Sequence, residues 1–105
     1  MKMLTLPIKK KWYDMILSGE KKEEYREIKP YYTSRFIGNG LLLMDGTPNA
    51  WPNAWGEMVI FRNGYSKNSP SFKATVTLDI RTGKPEWGAE PGKEYYVLTI
   101  IEIQK

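Results

Sequence analysis

The sequence predicts an α+β domain, a small β-barrel of about five to six mostly antiparallel strands with two short helices. Residues 72–80 alternate apolar and polar side chains, and residues 94–103 form a long, nearly all-apolar run. Two short stretches with helical spacing each stop at a glycine. Closing such a sheet on itself removes an edge that would otherwise expose its apolar strands.

From the N-terminus, residues 3–9 (MLTLPIK) read as the first strand, with Pro7 near a strand end or on an edge because proline cannot donate to a ladder. Trp12, Met15, Ile16 and Gly19 then fall at helical spacing, so a helix ends at Ser18 with Gly19 as its left-handed stop. Lys9, Lys10 and Lys11 oppose the dipole at that helix start. They read as a solvated face or, alternatively, as phosphate contacts beside a cleft. Trp12 reads as a core residue, with stacking on a base as the alternative.

Residues 21–28 (KKEEYREI) contain no Gly or Pro and precede Lys29-Pro30, which favours extended geometry; they read as a strand. Strict alternation puts Lys22, Glu24, Arg26 and Ile28 on one face, and Lys21, Glu23, Tyr25 and Glu27 on the other. Neither face is apolar. Because unpaired buried charge is costly, this segment is either an exposed edge strand or the wall of a polar cleft.

Pro30 opens a second helix over residues 30–37 (PYYTSRFI), which stops at Gly38. Tyr31, Tyr32 and Arg35 face a ligand in one reading; in the other, Tyr32, Phe36 and Ile28 make a core stripe. Residues 41–44 suggest a short strand. The tetrapeptide PNAW then occurs twice in succession over residues 48–55, predicting a turn-rich loop that presents Trp51 and Trp55. These rings either stack on bases near a basic cleft or plug an open barrel end.

Residues 57–62 (EMVIFR) read as a strand whose apolar run suggests burial on both faces. The loop over residues 63–70 opens with Asn63-Gly64 and offers phosphate donors around Arg62, Tyr65, Lys67 and Asn68, although an ordinary hairpin loop has the same composition. Residues 82–93 hold five Gly or Pro residues and carry Glu86, Trp87 and Glu90 on a stiffened loop. Residues 94–103 suit the barrel's centre.

The chain has 105 residues, which is one domain spanning residues 1–105. With no cysteine and no histidine, disulfides, Cys/His zinc sites and Ser/His or Cys/His catalysis are excluded, and neither metal nor cofactor is expected. A net charge of +4 is compatible with nucleic acid without requiring it. No apolar run approaches the roughly 20 residues of a membrane span and no signal-peptide core is evident, so a cytoplasmic protein is expected.

Gly19, Lys21, Glu24 and Arg26, in the order G-x-K-x-x-E-x-R directly after a helix that carries an aromatic residue, resemble the signature of the ASCH domain family. The resemblance implies a PUA-like barrel with one or two helices over a cleft, and an association with RNA. Some bacterial members hydrolyse the amide of N4-acetylcytidine with the motif lysine, a threonine and a downstream glutamate. By that likeness Lys21 matches the lysine and Glu86 or Glu90 the glutamate, but Glu24 stands where the threonine would be. Ribonuclease activity, also associated with some members, would use Lys21 and Glu24 as an acid/base pair.

Residue chemistry gives the same strand a role. Glu24 and Arg26, about 7 Å apart on one strand face, bracket a planar polar group: the carboxylate accepts from exocyclic amines and the guanidinium donates to carbonyls or phosphates. The alternative is a structural ion pair. The leading expectation is therefore RNA or modified-nucleoside binding through Lys21, Glu24 and Arg26, with Trp51 or Trp55 as a stacking lid and Arg62, Tyr65 and Lys67 as further contacts. A hydrolase using Lys21 and Glu24 is the second, and a protein-interaction module built on the tryptophan loop is the third.

Overall fold

The computed structural model describes residues 3–104. The chain runs through β1 (Leu4–Ile8), α1 (Lys10–Leu17), β2 (Glu23–Arg26), α2 (Pro30–Gly38) and α3 (Ala50–Trp55), then β3 (Glu57–Asn63), β4 (Ser71–Thr82), a 3₁₀ turn (Pro85–Trp87) and β5 (Glu94–Gln104). Five strands form one curled sheet in the order β1-β3-β4-β5-β2, half a barrel, with β1 parallel to β3 and the other ladders antiparallel. The α+β, barrel-like class expected from the alternating strands is the one observed.

The apolar pattern explains the layering. Phe72, Ala74, Val76 and Leu78 of β4 and Val59 and Phe61 of β3 point inward, where they meet Tyr13 and Ile16 of α1 and Phe36 of α2. Along β5, Tyr96 and Leu98 join this core while Tyr95 and Val97 face the other way, onto Tyr25 and Ala89, with Trp87 packed against them. The loop before β5 folds back over the outer face, which is why this strand is apolar on both sides.

Several expectations need correction. The sheet does not close by backbone pairing: β1 and β2 are its two edges. Within β3 only Val59 and Phe61 are fully buried, and Met58 and Ile60 are half-buried. Residues 41–44 form no strand, only an isolated bridge from Leu42 to Pro48, while Leu41 and Leu42 fill the core.

The duplicated PNAW segment is a short helix rather than an irregular loop. Its two copies do different work: Asn49 caps α3 by accepting from the Trp51 N–H, and the Asn53 side chain accepts from the Leu78 N–H of β4. Among the described residues no helix is long and apolar enough to cross a membrane, and no cluster of three or more acidic, Cys or His side chains is placed to hold a metal ion.

Candidate functional site

The site forms at the seam between the two sheet edges. After α1, Gly19 takes a left-handed φ of 88° and the Lys21 N–H donates to the Met15 carbonyl at 2.9 Å, so the chain wraps over the helix end. The strand therefore begins at Glu23 and not at Lys21. Strict alternation does not apply to Lys21, and its ammonium reaches Glu24 Oε1 at 2.9 Å.

Lys21 is 1% exposed and Glu24 5%. Besides Glu24, Lys21 Nζ donates to the Glu23 carbonyl and lies over the rings of Tyr25, at 4.8 Å, and Trp12, at 5.4 Å. Burial lowers the Lys21 pKa below its ordinary value, against the pull of the Glu24 carboxylate. The other Glu24 oxygen pairs with Arg26 Nη1. Arg26 Nη1 also donates to the Tyr25 carbonyl and Nη2 donates to the Pro7 carbonyl, each at 2.9 Å. A side chain thus spans the gap that backbone pairing leaves open, using a carbonyl on the free edge of β1.

Behind this triad a second network holds β2 to its neighbours. Glu23 accepts from Tyr25 Oη at 2.7 Å and from Arg81 Nη2 at 2.8 Å, and Tyr25 Oη accepts from the Lys84 N–H at 2.9 Å. Burial would push the Glu23 carboxyl up, but the hydrogen bonds from Arg81 and Tyr25 hold it below its ordinary value. The Tyr25 phenol is raised, chiefly by burial.

A cavity of about 480 Å³ opens in front of Glu24 and Arg26. Its walls include the rings of Trp12, Tyr25, Tyr32, Tyr65, Trp87 and Tyr95, and the cations Lys9, Lys10 and Lys29 stand with Arg26 against Glu24 and Glu27. Arg26 has five N–H groups, and three of them bond to acceptors among the described residues, which leaves two beyond those bonds. Glu24 keeps acceptor capacity beyond its two ion pairs. The wall therefore offers an acceptor beside a donor, flanked by aromatic faces and cations. Such a surface suits a planar base attached to an anionic group.

Not every expected residue belongs here. Lys21 is sealed behind Glu24 and does not line the cavity. Trp51 and Trp55 are 75% and 72% exposed, so they plug no barrel end. They sit on α3, which docks on β4, the middle strand of the sheet order and the one farthest from the seam; neither lines the cavity. Arg62 and Lys67 also lie outside its lining, as do Glu86 and Glu90.

Tyr65 does line it, carried to the rim by a hydrogen bond from the Gly64 N–H to the Ile8 carbonyl at 3.0 Å. Trp12, read mainly as core, Tyr25, Trp87 and Tyr95 are aromatic residues of the lining that sequence reasoning left out of the site. Trp12 packs against Gly88, where a Cβ would meet the indole at 3.1 Å and the backbone has a positive φ. The clue available in sequence was the stiffened Gly/Pro loop, but its partner was not.

Comparison with known proteins returned no match to a family model, a curated protein or a solved structure.

Proposed function

We propose that the cleft binds a nucleotide unit, either as part of RNA or as a free or modified nucleoside. The observation that carries this reading is the side-by-side presentation of a paired carboxylate, Glu24, and a partly unsatisfied guanidinium, Arg26, in an aromatic cavity with a cationic rim. Stacking faces supply sequence-tolerant affinity and the Glu24–Arg26 pair reads a polar base edge. The G-x-K-x-x-E-x-R likeness to ASCH domains points the same way. Titration with cytidine, N4-acetylcytidine and a short single-stranded RNA, followed by tryptophan fluorescence, tests it. Trp12 and Trp87 in the cavity wall should report binding, and Arg26→Gln should weaken it at least about tenfold. Folded wild-type protein that responds to none of the three overturns the reading.

A second reading is hydrolysis of a modified nucleoside or of RNA, favoured by one observation: a lysine with a lowered pKa in contact with Glu24. Because Lys21 is off the cavity wall, Glu24 would meet the substrate and Lys21 would act as a positioning residue. Product formed from N4-acetylcytidine by the wild type, with a pH profile displaced in a folded Lys21→Met variant, supports this reading. Absence of product with binding intact leaves binding alone.

A further inference from the structure

A second cavity, of about 510 Å³, adjoins the first and shares Pro7, Lys29, Tyr32 and Tyr65 with it. Its own lining includes Tyr31 and Arg35 from α2, with Thr5, Leu6 and Pro30 beside them. Among the described residues, the charged side chains lining it are both cations, Lys29 and Arg35. The Arg35 guanidinium lies over the Tyr31 ring at 3.5 Å, and its Nη1 donates to the Tyr31 carbonyl at 3.0 Å, so cation and ring form one fixed platform. Tyr31 meets Tyr32 edge-to-face at 5.0 Å. On the partition itself, Tyr32 carries Arg26 on the first cavity's side and Lys29, which belongs to both.

We infer that these adjoining cavities are consecutive subsites for a single-stranded nucleic acid. One base meets Glu24 and Arg26, the linking phosphate crosses the partition at Lys29, and the next base lies on the platform of Tyr31 and Arg35. The inference rests on the reading of the first cavity as a nucleotide site and narrows it: the ligand is a polymer of at least two units, not a free nucleoside. A lone nucleotide has no use for a second wall of rings, nor for cations without a balancing carboxylate. A phosphodiester-linked neighbour uses both, because each added unit brings one π-face and one negative charge.

The test uses the four ribonucleoside 5′-monophosphates and the four 5′-phosphorylated homodinucleotides, titrated into the full chain and into Tyr31→Ala and Arg35→Gln. Both substituted side chains are exposed and neither lines the first cavity, so the fold and the first subsite should survive. The wild type should bind its preferred dinucleotide about tenfold or more tightly than the matching mononucleotide, the size expected of one further stacked base. That gain should have a steeper salt dependence than mononucleotide binding. Either substitution should remove most of the gain while leaving mononucleotide affinity within about twofold. Equal affinity for both ligands, or a gain that survives both substitutions, overturns the inference and leaves the first cavity's reading standing. If nothing binds at all, the first reading fails, and this one with it.

Discussion

Three charged side chains and their burial decide how the seam behaves. In Glu24→Gln, Lys21 and Arg26 lose their shared counter-charge, and removing one partner of a buried ion pair costs roughly 3–5 kcal/mol. Urea unfolding should show a loss of that order; a loss below about 1 kcal/mol would mean the pair is effectively solvated. Lys21→Met removes the desolvated ammonium and leaves Glu24 with Arg26, so its cost should be much the smaller. The lowered Lys21 pKa also has a sign. In the range just below the ordinary value of 10.5 the unfolded chain holds the proton that the folded chain releases, so stability gains from rising pH there. Subtracting the Lys21→Met pH profile from that of the wild type should isolate this rise, since the opposing contribution of Tyr25, whose pKa is raised, is common to both. Glu23, whose pKa is also lowered, has the same sign at lower pH: its contribution is complete above its ordinary value of 4.5 and disappears as pH falls through its lowered folded pKa. Acid unfolding of Glu23→Gln, compared with wild type, should therefore show less loss of stability below pH 4.5. At this scale the candidate site was partly legible. The charge density of residues 21–28 marked the segment because neither face can be buried cheaply, but the partners of those charges lie in other elements.

Elements meet at contacts that one substitution can break. Gly83 lies under the Tyr25 ring, and a Cβ there would stand 2.6 Å from two ring carbons and 2.8 Å from the Ala89 Cβ. Gly83→Ala should displace Tyr25 from its bonds to Glu23 and to the Lys84 N–H, at a cost of about 1–3 kcal/mol, visible as a lower thermal midpoint. On the opposite side, α3 depends on its asparagines and not on its tryptophans. Asn53→Ala leaves the buried Leu78 N–H without its acceptor and should cost about 1–3 kcal/mol. Trp51→Ser combined with Trp55→Ser should change stability by no more than about 1 kcal/mol, since both rings are exposed. If the double tryptophan variant proved the less stable, the assignment of α3's anchor would be wrong. The duplication was visible at once in sequence, yet its roles were not. The same four letters give a cap in the first copy and a tether in the second only because β4 presents its Leu78 N–H there.

For the molecule as a whole, the site depends on the sheet curling far enough to bring its edges together. β5 pairs with both β4 and β2, so removing Glu94–Gln104 strands the whole charged segment. A chain ending before Glu94 should show no cooperative unfolding transition by circular dichroism; a cooperative transition would mean the remaining strands hold the fold. The sequence by itself determined the class of this protein: alternation over residues 72–80, the apolar run near the C-terminus and the glycine stop at Gly19 are local signals, decided by side-chain period and backbone geometry. The expected stop at Gly38, by contrast, falls two residues later, the helix running through Gly38 to a cap at Asn39 and a left-handed Gly40. It also determined which chemistry is available, since a chain without cysteine or histidine must work through carboxylates, ammonium, guanidinium, hydroxyl groups and rings. Only the tertiary structure decided which of these groups meet. Lys21 reaches Glu24 because the chain wraps over the end of α1, Trp12 and Trp87 face one cavity because a loop some 75 residues away folds back, and Trp51 and Trp55 are turned away because α3 docks on the strand farthest from the seam. Each of these is a long-range pairing, set by how the sheet curls and packs, and no local period of the sequence encodes it.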